Sequence, residues 1–257
     1  MDYLLFRLYG PLASWGNIAI GESRHSFHGP TKSAVMGLVA AALGIRREEE
    51  SQHLRLNREY HMASALFSQG SLLRDYHTVQ APDTVGKFTY RSRRDELVIG
   101  KDRLGTVLSS REYRSDALAW VALRAEDGVP YTLEQIADGL RTPIFTLYLG
   151  RKSCPLAAPL DPQLVVADGF AEAFKKYQPR GISPVLERQS ERFERDVLCR
   201  DQSVEYCWEG NVEDFGSEGR LDKSQLLSET QHDRLNSRRR WQYAPRQIYH
   251  YRTKEGV

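Results

Sequence analysis

Leu4, Phe6 and Leu8 recur at every second position near the start of the chain, the period of a β-strand over residues 2–9. Gly10-Pro11 is expected to break that strand. A different pattern follows at residues 34–43, AVMGLVAAAL, which carry no charge and are apolar on every side. That pattern predicts a buried helix over residues 31–43. Thr31 and Ser33 supply side-chain caps, Pro30 suits a helix entry, and Gly44 supplies a left-handed stop. Gly37, inside the helix, predicts the close approach of another backbone.

The segment between these elements, residues 11–29, reads as a long glycine-dotted loop carrying Trp15, Arg24, His25 and His28. A loop of that length within a compact domain is usually functional. Residues 46–59 read as a charged, exposed helical connector. Residues 60–67 and 71–79 read as two strands around the turn Ser68-Gln69-Gly70. Residues 84–110 are too polar and basic for a core and predict a protruding β-hairpin, with 87–93 leading out and 104–110 returning. A third core strand is expected at 118–124. A second amphipathic helix is expected at 132–140, capped by Thr132, with Leu133, Ile136, Ala137 and Leu140 on one face. Residues 156–231 yield only a strand candidate at 204–208, and the chain closes with a strand at 247–252.

The order β-α-β-β-α with one late strand predicts an α+β fold. It consists of an RRM- or ferredoxin-like body at residues 1–160, with an antiparallel sheet and helices on one face, and a smaller β-rich C-terminal extension at 161–257 packed partly on it. Such scaffolds frequently bind single-stranded RNA on the open sheet face.

Charge sharpens this picture by its distribution rather than its sum. The net charge of the 257 residues is only +2. Residues 84–114 hold eight basic side chains, including Arg91, Arg93, Arg94, Arg111 and Arg114, against four acidic ones. Residues 234–252 hold six arginines, no acid, and the aromatics Trp241, Tyr243, Tyr249 and Tyr251. Cations interleaved with rings suit a single-stranded nucleic acid, whose phosphates meet the charges and whose bases stack on the rings. The plain alternative is a solvated face with surface ion pairs.

Lys32-Ser33, at a helix N-terminus, is a natural phosphate site. It is not a P-loop, because Thr31 and Ser26 stand where G-x-x-x-x-G-K-[ST] needs glycine. Tyr148 followed by Gly150-Arg151-Lys152-Ser153 joins a ring to a flexible backbone, two cations and a hydroxyl, which suits phosphate cradling with base stacking; an ordinary β-turn is the alternative. His25 and His28 find no third ligand nearby in sequence, and three cysteines without a CxxC pair favour neither a zinc site nor a disulfide framework. Neither a metal nor a cofactor is expected. No apolar run approaches the roughly 20 residues of a membrane span, the start reads as a strand rather than a secretion signal, and the cysteine usage fits the reducing cytoplasm.

Four stretches in order, RLYGPLASWG, GPTKSAVMGLVAAALGI, RDYHTV, and REYRSDA followed by YLGRKSCPL, resemble the Cas-five family of CRISPR proteins. The similarity is strongest to its members in type I-E surveillance complexes (Cascade), and covers about residues 3–160. The resemblance implies a non-catalytic RNA-binding subunit with an RRM-like body and a thumb-like hairpin near residues 84–110. Such a subunit holds the five-prime handle of the CRISPR RNA and caps one end of the backbone. It touches the backbone subunits, the large subunit and other Cascade proteins, meets target DNA indirectly, and has no membrane partner.

By motif match, Arg111 and Tyr148 are the foremost handle contacts. Gly150 to Ser153 come next, then Lys32 and Ser33, with Trp15, Arg24, Arg74, Tyr113 and Arg114 beside them. A second reading, from a type I-C branch of the family, is a metal-independent endoribonuclease, for which Tyr76, His77 and Lys32 would supply base, acid and cation.

Overall fold

A computed structural model describes residues 1–19, 21–83, 89–182, 187–199, 203–216 and 221–253. In chain order the strands are β1 (Asp2–Ala13), β2 (Trp15–Gly16), β3 (Ser23–Arg24), β4 (Ser26–Phe27), β5 (Tyr60–Ser68), β6 (Ser71–Pro82), β7 (Leu104–Ala125), β8 (Gln163–Val166), β9 (Val204–Glu209), β10 (Leu227–Ser237) and β11 (Gln242–Thr253). The helices are α1 (Lys32–Ala42), α2 (Glu50–Glu59), α3 (Arg93–Leu97), α4 (Leu133–Arg141), α5 (Phe170–Lys176) and α6 (Glu187–Phe193). Among the described residues no helix is long and apolar enough to cross a membrane.

One sheet runs β10-β11-β9-β5-β7-β1-β8, with β3 and β6 also laid against β7. Its ladders are antiparallel except β3 on β7. The fold is therefore mixed α/β around a largely antiparallel sheet. The late strands extend this sheet at both edges: β8 beside β1, and β9, β11 and β10 beyond β5.

The 22-residue β7 is the spine. Its second half, Leu118 to Ala125, is flanked by β1 and β5, with Leu4 opposite Leu123 and Tyr60 opposite Ala125. Its first half pairs with β6 from Ser71–Ser115 out to Pro82–Leu104. The expected β5–β6 hairpin is thus absent: the two strands lie end to end along β7. Gly70 makes the step between them at φ +65°, where a Cβ would stand 2.2 Å from the Ser115 carbonyl oxygen.

The long ribbon of the structure is consequently β6 with β7, rather than 87–93 with 104–110. Residues 84–88 lie outside the described residues. Arg93 and Arg94 sit on α3, which Ser92 and Asp95 open with a reciprocal capping box. Alternation hides such a ribbon from sequence reading, because β6 exposes Leu72, Leu73, Tyr76 and Val79 and buries no face. Gly10-Pro11 does not break β1 either, since pairing continues from Gly10–Ala117 to Leu12–Ser115.

Both faces of the central sheet are covered. Leu4, Phe6 and Leu8 point into a core shared with Val35, Met36 and Val39 of α1 and with Leu133, Ile136, Ala137 and Leu140 of α4. Tyr3, Leu5, Ala63 and Ala122 point the other way, into a core with Phe170, Phe174, Tyr206, Trp208 and Phe215. The open sheet face expected for RNA is therefore filled by α5 and an aromatic cluster.

The start of α1 is locked to the C-terminal strands. Thr31 caps the helix, accepting from the Ala34 N–H. The Lys32 N–H donates to Asp233 Oδ2 at 2.7 Å, so a carboxylate fills the anion site at the positive end of the helix. Lys32 Nζ meets Glu209 Oε1 at 2.6 Å, and Arg246 forks onto Asp233 at 2.9 and 2.7 Å. Arg246 also lies 3.5 Å from Glu209. The four side chains form two opposite pairs of charges, all buried. Removing one partner of such a network leaves an uncompensated buried charge, at about 3–5 kcal/mol. Asp233→Ala is expected to lose stability on that scale in urea denaturation; a loss below about 1 kcal/mol would show that the network does not hold α1 to β10.

Candidate nucleic-acid interface

The buried helix α1 has one face that is only partly covered. Ser33, Ala34, Gly37 and Ala41 fall three or four residues apart and therefore line one stripe. A Cβ at Gly37 would meet nothing within 4 Å, so this glycine opens space instead of admitting a second backbone. The stripe forms one wall of a groove of about 670 Å³. Residues 16–19, Tyr148 and Gly150 close one side, and Arg47, His232, Arg238, Trp241 and Tyr243 close the other.

Trp241 stands at the turn between β10 and β11 with φ +53° and is 53 % exposed. The guanidinium carbons of Arg47 and Arg238 lie 4.9 and 4.5 Å from its ring centre. Cations over a half-open indole, with Tyr148 and Tyr243 nearby, offer phosphate pairing and base stacking in one groove. The basic-aromatic run at 234–252 carried this signal in the sequence. Arg47 carried none, because its place follows from the path of the chain after α1.

The Tyr148–Ser153 segment is a tight turn fastened to the end of β1. Leu149 donates to Cys154 O at 2.8 Å and Cys154 to Arg151 O at 2.9 Å, while Ser14 donates to Leu149 O at 3.1 Å. Gly150 has φ +83°, and a Cβ there would lie 1.9 Å from the Ser14 carbonyl oxygen. Lys152 and Ser153 are exposed at the turn. Arg151 folds back: it donates to Glu112 O at 3.2 Å and Arg24 O at 3.3 Å, and covers the Tyr113 ring at 4.9 Å.

Glu112 is a hub beneath these residues. It accepts from Arg74 at 3.0 Å and the Ser26 N–H at 3.2 Å, and lies 3.2 Å from His25 Nδ1. Burial alone would raise its carboxyl pKa, but these donors, Arg74 foremost, hold it below the ordinary glutamate value.

The structure thus sorts the sequence-predicted residues. Ser33, Tyr148 and Gly150 line the groove; Arg74, Tyr113 and Arg151 gather around Glu112, and the Arg24 side chain folds onto its own loop, donating to Gly21 O and Ser23 O. Arg111 is exposed on β7, next to β3, and Arg91, Arg93 and Arg94 lie beyond the ribbon strands, also exposed. Arg114 is half-buried, with its Nε lacking a hydrogen-bond partner.

Three expectations change. Lys32 is 2 % exposed and committed to Glu209, so it presents no charge to a ligand. Trp15 is 3 % exposed, within the core beneath α1, so its ring is packing. Tyr113 is 7 % exposed under Arg151, so it cannot stack on a base. The sequence shows the residue type in each case but not which way the backbone turns it.

The nuclease constellation is not brought together either. Lys32 is buried in the body, whereas Tyr76 and His77 are neighbours on β6 and alternate to opposite faces. His77 lies 3.1 Å from Asp75.

These features define a mixed α/β protein whose groove is walled by cations and aromatic rings. The chain belongs to the Cas5 family of CRISPR-associated proteins: the family model described as CRISPR-associated protein (Cas_Cas5) matches residues 3–249. It is 30% identical over 188 residues to the CRISPR system Cascade subunit CasD of Escherichia coli (strain K12), spanning 70% of this chain and 79% of that one. It is CasD-type within the family. A chain of a CRISPR RNA-guided surveillance complex shares its fold, with a TM-score of 0.62 and 24% identity over 98% of this chain and 90% of that one. A second solved structure, described as that of a Cas protein, has a TM-score of 0.57 and 26% identity over 96% and 93% of the two chains.

Gly150 is where the turn geometry is tested. Gly150→Ala is expected to destabilise the chain by about 1–3 kcal/mol through its positive φ and its contact with Ser14. Gly16→Ala, where a Cβ meets nothing within 4 Å, is expected to stay within about 0.5 kcal/mol in the same denaturation series. Equal stability of the two variants would contradict this reading of the turn.

Proposed function

We propose that this chain is a non-catalytic RNA-binding and scaffolding subunit of a type I-E CRISPR surveillance complex, holding the five-prime handle of the CRISPR RNA and capping one end of the backbone. The observation that carries the proposal is the groove between α1 and the β10–β11 turn, with the half-exposed Trp241 ring beside Arg47 and Arg238 and with Tyr148 and Gly150 at its side. Membership of the Cas5 family and the likeness to a Cascade subunit support the same reading.

Within that proposal, β8-β1-β7-β5 with α1 and α4 is the RRM-like body, its fourth strand lying just beyond residue 160. The β6–β7 ribbon is the candidate thumb. Its exposed Leu72, Leu73, Tyr76, Val79 and Val107 suit contact with a neighbouring backbone subunit. Arg111, Lys152 and Ser153, exposed beside the groove turn, are the further candidates for the handle backbone. CRISPR RNA, the backbone subunits and the large subunit are the proposed partners, target DNA is met through the assembled complex, and the cytoplasm is the proposed site of action.

The test is a pull-down of the tagged chain from its host, with the five-prime ends of bound RNA sequenced. RNAs beginning at one fixed point in the repeat are expected. Tyr148→Ala and Trp241→Ala are each expected to weaken binding of a single-stranded handle RNA by about 1–3 kcal/mol, roughly 5- to 150-fold. Affinity should fall with salt at a slope of about −0.7 per neutralised phosphate. His77→Ala should leave the RNA ends unchanged. Wild-type affinity in both ring variants would overturn the groove assignment, and uncut precursor bound to His77→Ala would make the chain the nuclease.

A further inference from the structure

A second cluster, away from the groove, joins the loop before α1 to the late strands. His28 Nε2 lies 3.1 Å from Glu205 Oε1, and His250 Nδ1 lies 3.2 Å from the same oxygen. One donor atom from each of the three residues falls within 4.8 Å of the other two. Cys207 Sγ is 3.0 Å from His250 Nδ1 and 4.0 Å from Glu205 Oε1.

Proton counting shows why these atoms are a poor hydrogen-bond set. His250 Nδ1 faces both a carboxylate oxygen and a thiol sulfur. If Nδ1 carries its proton, it donates to one of them and cannot accept from the thiol. If it does not, it accepts from the thiol and confronts the carboxylate lone pair to lone pair. With Nδ1 protonated, the thiol proton is left only the long 4.0 Å reach to Glu205 Oε1, and the 3.0 Å sulfur–nitrogen contact is a weak one. A cation at the point of convergence satisfies all of them together.

The spacing fits. Zinc bonds of about 2.0–2.1 Å to nitrogen and oxygen in a tetrahedron place neighbouring ligand atoms about 3.3 Å apart. The separations of 3.1 and 3.2 Å are close to that edge, while the sulfur, 3.0 Å from one ligand atom and 4.0 Å from another, lies on either side of the edge of about 3.5 Å that a Zn–S bond of about 2.3 Å sets, so that it must shift slightly to ligate. A cavity of about 30 Å³, lined by His28, Cys207, Glu229 and His250 among others, adjoins the cluster. Arg246 also lines it, but its guanidinium is spent on Asp233 and Glu209. Glu229 Oε2 lies 3.2 Å from His250 Nε2, the nitrogen left over when Nδ1 ligates, but out of line for a hydrogen bond, so that Nε2 is buried without a partner until the carboxylate turns toward it. Carboxylates commonly hold a metal-bound histidine from that position.

We propose that His28, Glu205 and His250 bind one divalent transition ion of the zinc class, with the Cys207 sulfur as fourth ligand. Imidazole with thiolate selects this class over magnesium or calcium. The sequence concealed the site because its ligands span most of the chain: the β9–β11 pairing sets Cys207 opposite His250, and the loop before α1 brings His28 to Glu205. Bound there, the ion staples the His28 loop, and with it the entry to α1, to β9 and β11.

The test uses the full chain, stripped with chelator, dialysed against zinc or cobalt alone and assayed for bound metal. About one ion per chain is expected. The cobalt form should show intense visible d–d bands, as tetrahedral sites do, and a thiolate-to-cobalt charge-transfer band in the near ultraviolet. Cys207→Ser should abolish the charge-transfer band, and His28→Asn should reduce metal retention more than tenfold. Glu229→Gln should weaken affinity about 10- to 100-fold. Zinc should raise the melting temperature of the wild type and not that of His28→Asn. Circular dichroism identifies any variant that fails to fold, and the Glu229→Gln titration then decides the matter. Less than one-tenth of an ion per chain, or equal metal retention in wild type and His28→Asn, would overturn the proposal. A charge-transfer band that survives Cys207→Ser would overturn the role of the sulfur.

Discussion

The buried quartet of Lys32, Glu209, Asp233 and Arg246 is the constraint on which the rest of the structure depends. Four charges taken out of water are tolerable only when each meets an opposite partner with hydrogen-bond geometry. Here the helix N-terminus is itself one of the partners, through the Lys32 N–H on Asp233. Glu209 does double duty, accepting from Lys32 and from the Met62 N–H at 2.8 Å. The quartet therefore ties α1, β5, β9, β10 and β11 into one arrangement. It also seals the anion site at the start of α1, which moves ligand chemistry from the helix end to the helix flank.

Once β10 and β11 are latched there, their connecting turn reaches over the small-residue stripe of α1. The groove follows from that placement: Ser33, Ala34, Gly37 and Ala41 give depth because they have little side chain, and Arg238 and Trp241 give a wall of charge and ring. The opposite face of the central sheet is closed by Phe170, Phe174, Trp208 and Phe215. On the proposed reading, single-stranded RNA meets an edge groove rather than an open sheet. The long β6–β7 ribbon, exposed along β6, stands apart from that groove.

Elements whose residues carry their own reasons were legible in the sequence. Thr31 caps α1 and Gly44 ends it at φ +76°, as the local residue types require. Thr132 and Gln135 open α4 with a capping box, and its four expected apolar residues are all buried. The strand expected at 204–208 is β9, Val204–Glu209. The late helix α5 and the strand β10 were not legible: α5 is only 7 residues long, and β10 mixes charge with exposure on both sides.

The sequence by itself determined the kinds of group available: a core helix with an uncharged body, a basic stretch at residues 84–114, and a basic-aromatic tail. Composition and periodicity are local properties, and these follow from neighbours three or four residues apart. Tertiary structure alone decided which cations are free. Lys32 and Arg238 are both basic, yet Lys32 is spent on a carboxylate 177 positions away and Arg238 faces a groove. It likewise decided that His28, Glu205, Cys207 and His250 share one point in space. Both outcomes are set by strand pairings across most of the chain, and no local pattern encodes which distant strand a residue will meet.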